Sequence, residues 1–267
     1  MERKELHSLF EQGKQWILEA GEQIRIDVEK PFEVNTKADR KDLVTEVDEK
    51  VEAFFAKRIR HTYPEHKVLG EEGLGDEIHS VDGVIWVIDP IDGTMNFVHQ
   101  RRNFAISIGI YVDGEGLIGF IYDVMADVLY TAIKGEGAYK NGERLPMLGQ
   151  NRKLEDSLLA MNAFWSMPNR RLDEAGVHEL IRKVRGTRSY GSAALEFAFV
   201  AEGIIDAYIT MRLSPWDIAG GIVIVNEVGG ITTQVDGSPI NILEKNTVIT
   251  CNRAVHQDIV NHYIREK

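Results

Sequence analysis

From Phe104 to Tyr139 the chain reads FAISIGIYVDGEGLIGFIYDVMADVLYTAIKGEGAY, and Asp113-Gly114 and the nearby Lys140-Asn141-Gly142 mark turns. No other feature restricts the fold as much. Asp-Gly and Asn-Gly pairs tolerate the left-handed backbone of two-residue hairpin loops, so successive apolar runs return antiparallel to one another. The result is a meander, and it commits this half of the chain to substantial antiparallel sheet.

The meander is preceded by helical periodicity. Leu9, Phe10, Gly13, Trp16, Ile17, Ala20, Ile24 and Val28 recur at helical spacing from Leu6 onward, and Pro31 supports a stop after DVEK. Thr45 followed three positions later by Asp48 has the form of an N-terminal cap. It stands ahead of a second apolar series, Val47, Val51, Phe54, Phe55 and Ile59. KVLGEEG and VIWVID read as short strands that end in acids.

A looser polar stretch, roughly 146–156, is the best internal boundary. It separates an α+β half, 1–148, from a second half, 149–267, within one compact unit. The second half reads as a strand at SLLAMNAF, helices at 171–183 and 192–202, and a strand at DAYIT. A capped helix at SPWDIAGGIVIVNEVGG follows, then strands around 231–235 and 247–251 and a helix from about 254. Ser214-Pro215 supplies a cap and a first-turn proline, which puts Asp217 in the first helical turn.

With 31 basic and 42 acidic residues the chain carries a formal charge of −11, which disfavours long-range attraction to nucleic acid or anionic membrane. It does not disfavour cations. The single cysteine, Cys251, excludes an internal disulfide scaffold and fits a reducing compartment. No segment approaches the roughly 18 apolar residues of a membrane helix. MERKELHSLFEQ has no secretory pattern, so a soluble, cytoplasmic protein is expected.

Carboxylates stand at the edges of regular elements in four places: Asp48, Glu71-Glu72, Asp89 with Asp92, and Asp217. Solvated turns and helix caps explain most of them, but explain WVIDPIDGTMNF poorly. There Pro90 extends the chain, Gly93 permits a special turn, and Thr94 adds a hydroxyl beside two acids that follow an apolar run. Hard cations such as Mg²⁺ take oxygen ligands, and two of them can clamp the attacking and leaving oxygens of a displacement. GTMNF opens a tight turn or helix whose free amides suit an anion. The eight histidines show no zinc-like spacing; His99, near the turn, is the one to watch. Local chemistry therefore favours Mg²⁺-dependent phosphate hydrolysis or transfer. An unrelated acidic enzyme or an acidic interaction module remains the alternative.

GEEG at 70–73, WVIDPIDGTMNFVH at 86–99 and WDIAGG at 216–221, in this order, resemble the inositol monophosphatase family of lithium-sensitive, Mg²⁺-dependent phosphatases. DLVTEVD at 42–48 and GTRSYGSAAL at 186–195 extend the match. The resemblance implies a layered α/β/α/β/α sandwich, as in fructose-1,6-bisphosphatase, and a homodimer. It also implies two or three Mg²⁺ ions: one held by Glu71, Asp89 and the Ile91 carbonyl, one by Asp89, Asp92 and Asp217, and a weaker third sharing Glu71. Glu71 and Thr94 would activate the attacking water, with Asp48 orienting Thr94. Lys37 matches a basic residue near the cluster.

On the substrate side the resemblance implies phosphate on the amides of Gly93 and Thr94, and a polyol held by Gly191, Ser192 and Ala194. Inositol-specific members carry a glutamate seven residues before the last metal aspartate; here that position is Thr210. Arg212 is placed to meet a second phosphate. Inositol-1-phosphate is thus the leading substrate, with fructose-1,6-bisphosphate, NADP⁺ and nucleoside monophosphates as alternatives. Met95 stands where the family often has a second threonine, and little depends on it.

Overall fold

A computed structural model describes residues 1–36 and 43–267 of the chain. Lys37, a candidate basic residue, lies outside the described residues. The elements run α1 (Arg3–Asp27), β1 (Val34–Thr36), β2 (Leu43–Thr45), α2 (Glu46–Thr62), β3 (Lys67–Gly70), β4 (Val84–Asp92) and α3 (Thr94–Gln100). The meander follows as β5 (Ala105–Val112), β6 (Glu115–Asp123), β7 (Val128–Ile133), β8 (Gly137–Lys140) and β9 (Glu143–Arg144). The remainder is β10 (Leu158–Met161), α4 (Glu174–Lys183), β11 (Gly186–Arg188), α5 (Ala193–Glu202), β12 (Ala207–Leu213), α6 (Pro215–Glu227), β13 (Gly230–Thr233), β14 (Asn246–Asn252) and α7 (Arg253–His262).

The strands from β3 to β9 lie in sequence order in one sheet, antiparallel except for the parallel edge pair β3–β4. Its hairpins turn where the sequence asks them to. Asp113 and Gly114, like Asn141 and Gly142, take positive φ, the conformation that matches the twist of the flanking strands. The second sheet has the order β11-β10-β12-β14-β13 and mixes parallel and antiparallel pairs.

Helix patterning decides the layers. The apolar stripes of α1 and α2 bury Trp16, Ile17, Phe55 and Ile59 against Trp86 and Ile88 on one face of the first sheet. In contrast, α5 and α6 are apolar around most of their circumference, and such helices are stable only when enclosed. They lie between the two sheets, sharing a core with Val87, Tyr208 and Val248. The second sheet's other face is covered by α4 and α7 around Leu180, Ile249 and Ile259. The stack is the expected α/β/α/β/α sandwich.

Helix α6 approaches the first sheet unusually closely. A Cβ at Gly119 would come within 2.4 Å of the Gly220 carbonyl oxygen, and one at Gly109 within 2.7 Å of the Ala219 carbonyl carbon. Backbone therefore meets backbone where α6 crosses β5 and β6. Small boundary differences have local causes. Asp173 caps α4, which begins at Glu174 rather than 171, and Ser192 caps α5 instead of lying within it. No helix among the described residues is long and apolar enough to cross a membrane.

Candidate active site

Strand alternation aims Asp89 at α6. Ile85 and Val87 face the central helices, whereas Trp86 and Ile88 face α1 and α2, so Asp89 shares the inner face with Ile85 and Val87. The register against β5 then shifts between Asp89 and Asp92, and this irregularity brings the second acid into the same neighbourhood. The Ile91 amide donates to Asp89 Oδ1 at 3.0 Å, fixing that carboxylate across Pro90. Gly93, at φ 93°, makes the turn into α3.

The third acid arrives on α6. The Ser214 amide donates to Asp217 Oδ2 at 2.7 Å, half of a capping box, with Pro215 in the first turn. Asp89, Asp92 and Asp217 can each present an oxygen within 4.8 Å of the others. Asp89 and Asp92 are buried, at 1% and 6% exposure. Burial pushes the Asp89 carboxyl well above the carboxylate range, and the charges of Glu71, Asp92 and Asp217 add to the shift. Burial followed by Asp92 and Glu71 does the same to Asp217. Desolvation lifts Asp92 to about 6, although bonds from Ser192 and the Ala194 amide oppose it.

Among the described residues no ion pair neutralises Asp89, Asp92 or Asp217, two of them buried and the third half-buried, and their charges repel one another. A divalent cation supplies the compensating charge, and their hard oxygen donors, with the Ile91 carbonyl nearby, suit Mg²⁺ better than a softer metal. Glu71 follows β3, whose Gly70 lies in register with Ile88, and its charge acts on Asp48, Asp89, Asp92 and Asp217 alike. Glu52 was not singled out from the sequence. Its buried carboxylate accepts from the amides of Glu72, at 2.6 Å, and Leu74, at 2.8 Å, and so shapes the turn that carries Glu71. The clue available beforehand was an acid at position 52, between the apolar-face residues Val51 and Phe55.

Asp48 and Thr94 come together at the edge of this cluster. The Thr45 amide donates to Asp48 Oδ2 at 2.9 Å and its hydroxyl donates to the same oxygen, leaving Oδ1 for the Thr94 hydroxyl at 3.4 Å. Thr94 also lies 3.1 Å from the Ile91 carbonyl oxygen, a second acceptor for its single proton. Burial lifts Asp48 to about 6. His99 is exposed on α3 and joins no metal-like group among the described residues. Cys251 is buried and its thiol pKa is pushed up by burial, a setting for an inert thiol.

A cavity of about 560 Å³ opens beside Asp92. Gly191, Ser192, Thr210 and Arg212 line it, together with Glu196 and Tyr208, which the sequence did not single out. Two details differ from expectation. The Ser192 hydroxyl donates to Asp92 while accepting from the Leu195 amide, so its proton points at a metal acid. The Ala194 amide donates to Asp92 at 2.7 Å, and Ala193 takes its place in the cavity wall. Asn96, also unanticipated, donates to the carbonyls of Asn103 at 2.8 Å and Tyr190 at 2.7 Å, tying α3 to the cavity wall.

A five-layer sandwich that gathers buried aspartates beside a polar cavity defines the class of metal-dependent phosphatases. The model of the inositol monophosphatase family matches residues 5–267, and the chain belongs to that family. An inositol-1-monophosphatase of Bacillus subtilis (strain 168) is 53% identical over 255 residues, covering 96% of both chains. A fructose-1,6-bisphosphatase/inositol-1-monophosphatase of Thermotoga maritima is 34% identical over 232 residues, 85% of this chain and 84% of the relative. The crystal structure of inositol monophosphatase-II from Staphylococcus aureus MSSA476 superposes with a TM-score of 0.88 at 45% identity, covering 96% of this chain and 93% of that one. The chain is thus a phosphoric monoester hydrolase that acts with Mg²⁺ on a small phosphomonoester.

Proposed function

We propose that the substrate is a small polyol phosphate, foremost inositol-1-phosphate, hydrolysed to the free polyol and phosphate by a directly attacking water. The convergence of Asp89, Asp92 and Asp217 beside a cavity of about 560 Å³ carries this reading. The names of the Bacillus subtilis and Thermotoga maritima relatives support it. Two or three Mg²⁺ ions are assigned, with ligands drawn from Glu71, Asp89, Ile91 (carbonyl), Asp92 and Asp217. When bound, Mg²⁺ makes a water nucleophilic near neutral pH and offsets charge on the phosphate and the leaving oxygen.

The remaining tasks belong to the chain. Asp48, fixed on one oxygen by Thr45, takes the Thr94 proton on the other and orients that hydroxyl. Thr94 and Glu71 then position the attacking water. The amides of Gly93 and Thr94 hold the phosphate. Ser192 and the Ala194 amide keep Asp92 in place. Gly191, Thr210 and Arg212 face the alcohol. In this reading residues 1–148 supply most metal ligands, 149–267 supply the alcohol side and Asp217, and the working assembly is a homodimer.

The Thermotoga maritima relative's double name, with an exposed Arg212 on the cavity, favours fructose-1,6-bisphosphate as the second substrate. The test is Mg²⁺-dependent phosphate release across inositol-1-phosphate, fructose-1,6-bisphosphate, NADP⁺ and AMP, with EDTA and lithium as inhibitors. Fastest release from inositol-1-phosphate, abolished by EDTA and reduced by lithium, is expected. Release from none of them sinks the substrate assignment.

A further inference from the structure

Two carboxylates stand one turn apart on α2, and both are enclosed. Asp48 and Glu52 have 0% exposure, although a buried acid is costly unless its oxygens are well bonded. A spacing of four puts them on one face of the helix, so a single rigid element carries both. Asp48 reaches the Thr94 hydroxyl. Glu52 reaches the turn after β3, where each oxygen takes one amide: Oε2 accepts from Glu72 and Oε1 from Leu74.

The same helix grips that turn from its other end. Arg60, in the last turn of α2, donates to the Leu74 carbonyl at 3.1 Å and pairs with Asp76 at 2.9 Å. Asp76 then closes the loop on β3. Its amide donates to the Val68 carbonyl at 2.7 Å, and its Oδ2 accepts from the Val68 amide at 2.8 Å. Gly70 lets the Glu52 carboxylate in: a Cβ there would lie 2.4 Å from the carboxyl carbon and within 2.6 Å of both oxygens, so an alanine would displace the acid. None of these contacts is made by Asp89, Asp92 or Asp217. The turn that carries Glu71 is therefore held by α2 and β3, independently of the aspartates.

We propose that Glu52 is a positioning residue for Glu71, and that α2 is the common frame on which the site's water-handling pair is mounted. Asp48 sets Thr94 and Glu52 sets Glu71, so the two groups assigned above to the attacking water keep a fixed spacing. The inference rests on the phosphatase reading above and deepens it. Its consequence is pre-organisation. A turn already held by two hydrogen bonds to a carboxylate loses little conformational freedom when Glu71 takes a cation, so Glu52 strengthens Mg²⁺ binding through the backbone rather than by contact with the ion.

The experiment uses the full-length protein as wild type, Glu52→Gln and Gly70→Ala. Glutamine keeps the size but turns one acceptor into a donor, whereas alanine at 70 displaces a carboxylate that stays intact and carries the comparison if Glu52→Gln folds poorly. Mg²⁺ binding without substrate is measured by titration calorimetry, and hydrogen exchange of the 72 and 74 amides is followed by NMR in the metal-free protein. Each variant is expected to bind Mg²⁺ about tenfold more weakly and to exchange these two amides about tenfold faster, while the amides of β5 and β6 keep their protection. At saturating Mg²⁺ the KM for inositol-1-phosphate should change by less than about twofold. Wild-type Mg²⁺ affinity, unchanged exchange at 72 and 74, or equal loss of protection in β5 and β6 overturns the positioning role. Failure of the phosphatase reading shows separately, because the wild type would then release no phosphate whatever the variants do to Mg²⁺ binding.

Discussion

Asp89, Asp92 and Thr94 come from one short segment, 89–94, whereas the cavity beside them draws on residues around 162–165, 189–196 and 208–212. The first region is shaped by local backbone rules: a strand, a proline, a register shift and a glycine at positive φ. The second exists only once two sheets have enclosed α5 and α6. The acid cluster is therefore suited to chemistry that does not vary, and the cavity to discrimination among alcohols. Lesions in the former should abolish turnover on every ester, and lesions in the latter should separate one ester from another.

The largest effect is expected at Asp89, which faces both of the other aspartates. Asp89→Asn should lower kcat by about 1000-fold or more on every substrate, by removing a charge that holds the metal. Circular dichroism should show an unchanged fold. A folded variant with near wild-type turnover would place the metal chemistry elsewhere.

Metal removal sharpens the contrast through pH. Burial lifts Asp48 and Asp92 from the ordinary 3.8 to about 6, so the metal-free native protein binds more protons than the unfolded chain between those values. Their contribution to stability is complete below pH 3.8 and is lost as pH rises through 6. Mg²⁺ compensates the ionised forms. Thermal melts should therefore show a Mg²⁺-induced rise in Tm that is larger at about pH 7.5 than at about pH 5. A pH-independent rise would detach metal binding from these acids.

On the cavity side, Arg212→Ala should raise the KM for fructose-1,6-bisphosphate about three- to tenfold while sparing inositol-1-phosphate. Parallel losses on both esters would mean that the cavity does not discriminate as described. The smallest effect belongs to Met95, in the first turn of α3 but 39% exposed. Met95→Thr should shift stability by less than about 0.5 kcal/mol and leave kcat within about twofold. A larger loss in steady-state kinetics would show that the 89–94 turn depends on its apolar neighbour.

Legibility in the sequence follows the same division. The hairpin turns at Asp113-Gly114 and Asn141-Gly142, the Thr45 and Ser214 caps and the amphipathic stripe of α1 are local signals, and each appears where the residues place it. Asp89, Asp92 and Asp217 could be named because motif and cap chemistry mark them. Glu196 could not. Its carboxylate is held by amides at 190 and 191 that belong to a different segment, and it faces the cavity only once that segment is folded over it. Ser192 is partly legible for a related reason: the sequence shows a hydroxyl near the substrate side, and only the folded chain shows that this cavity-lining hydroxyl also donates to Asp92.

The bare contact between α6 and the first sheet has a consequence for precision. Asp217 rides at the start of α6, and Asp89 and Asp92 ride at the end of β4. What fixes the gap between them is a hard stop, glycine backbone against carbonyl at Gly119 and Gly220, rather than side chains that can change rotamer. The molecule thus carries its own gauge block. A single methyl group added at that contact, with every ligand intact, would push the third carboxylate out of calibration.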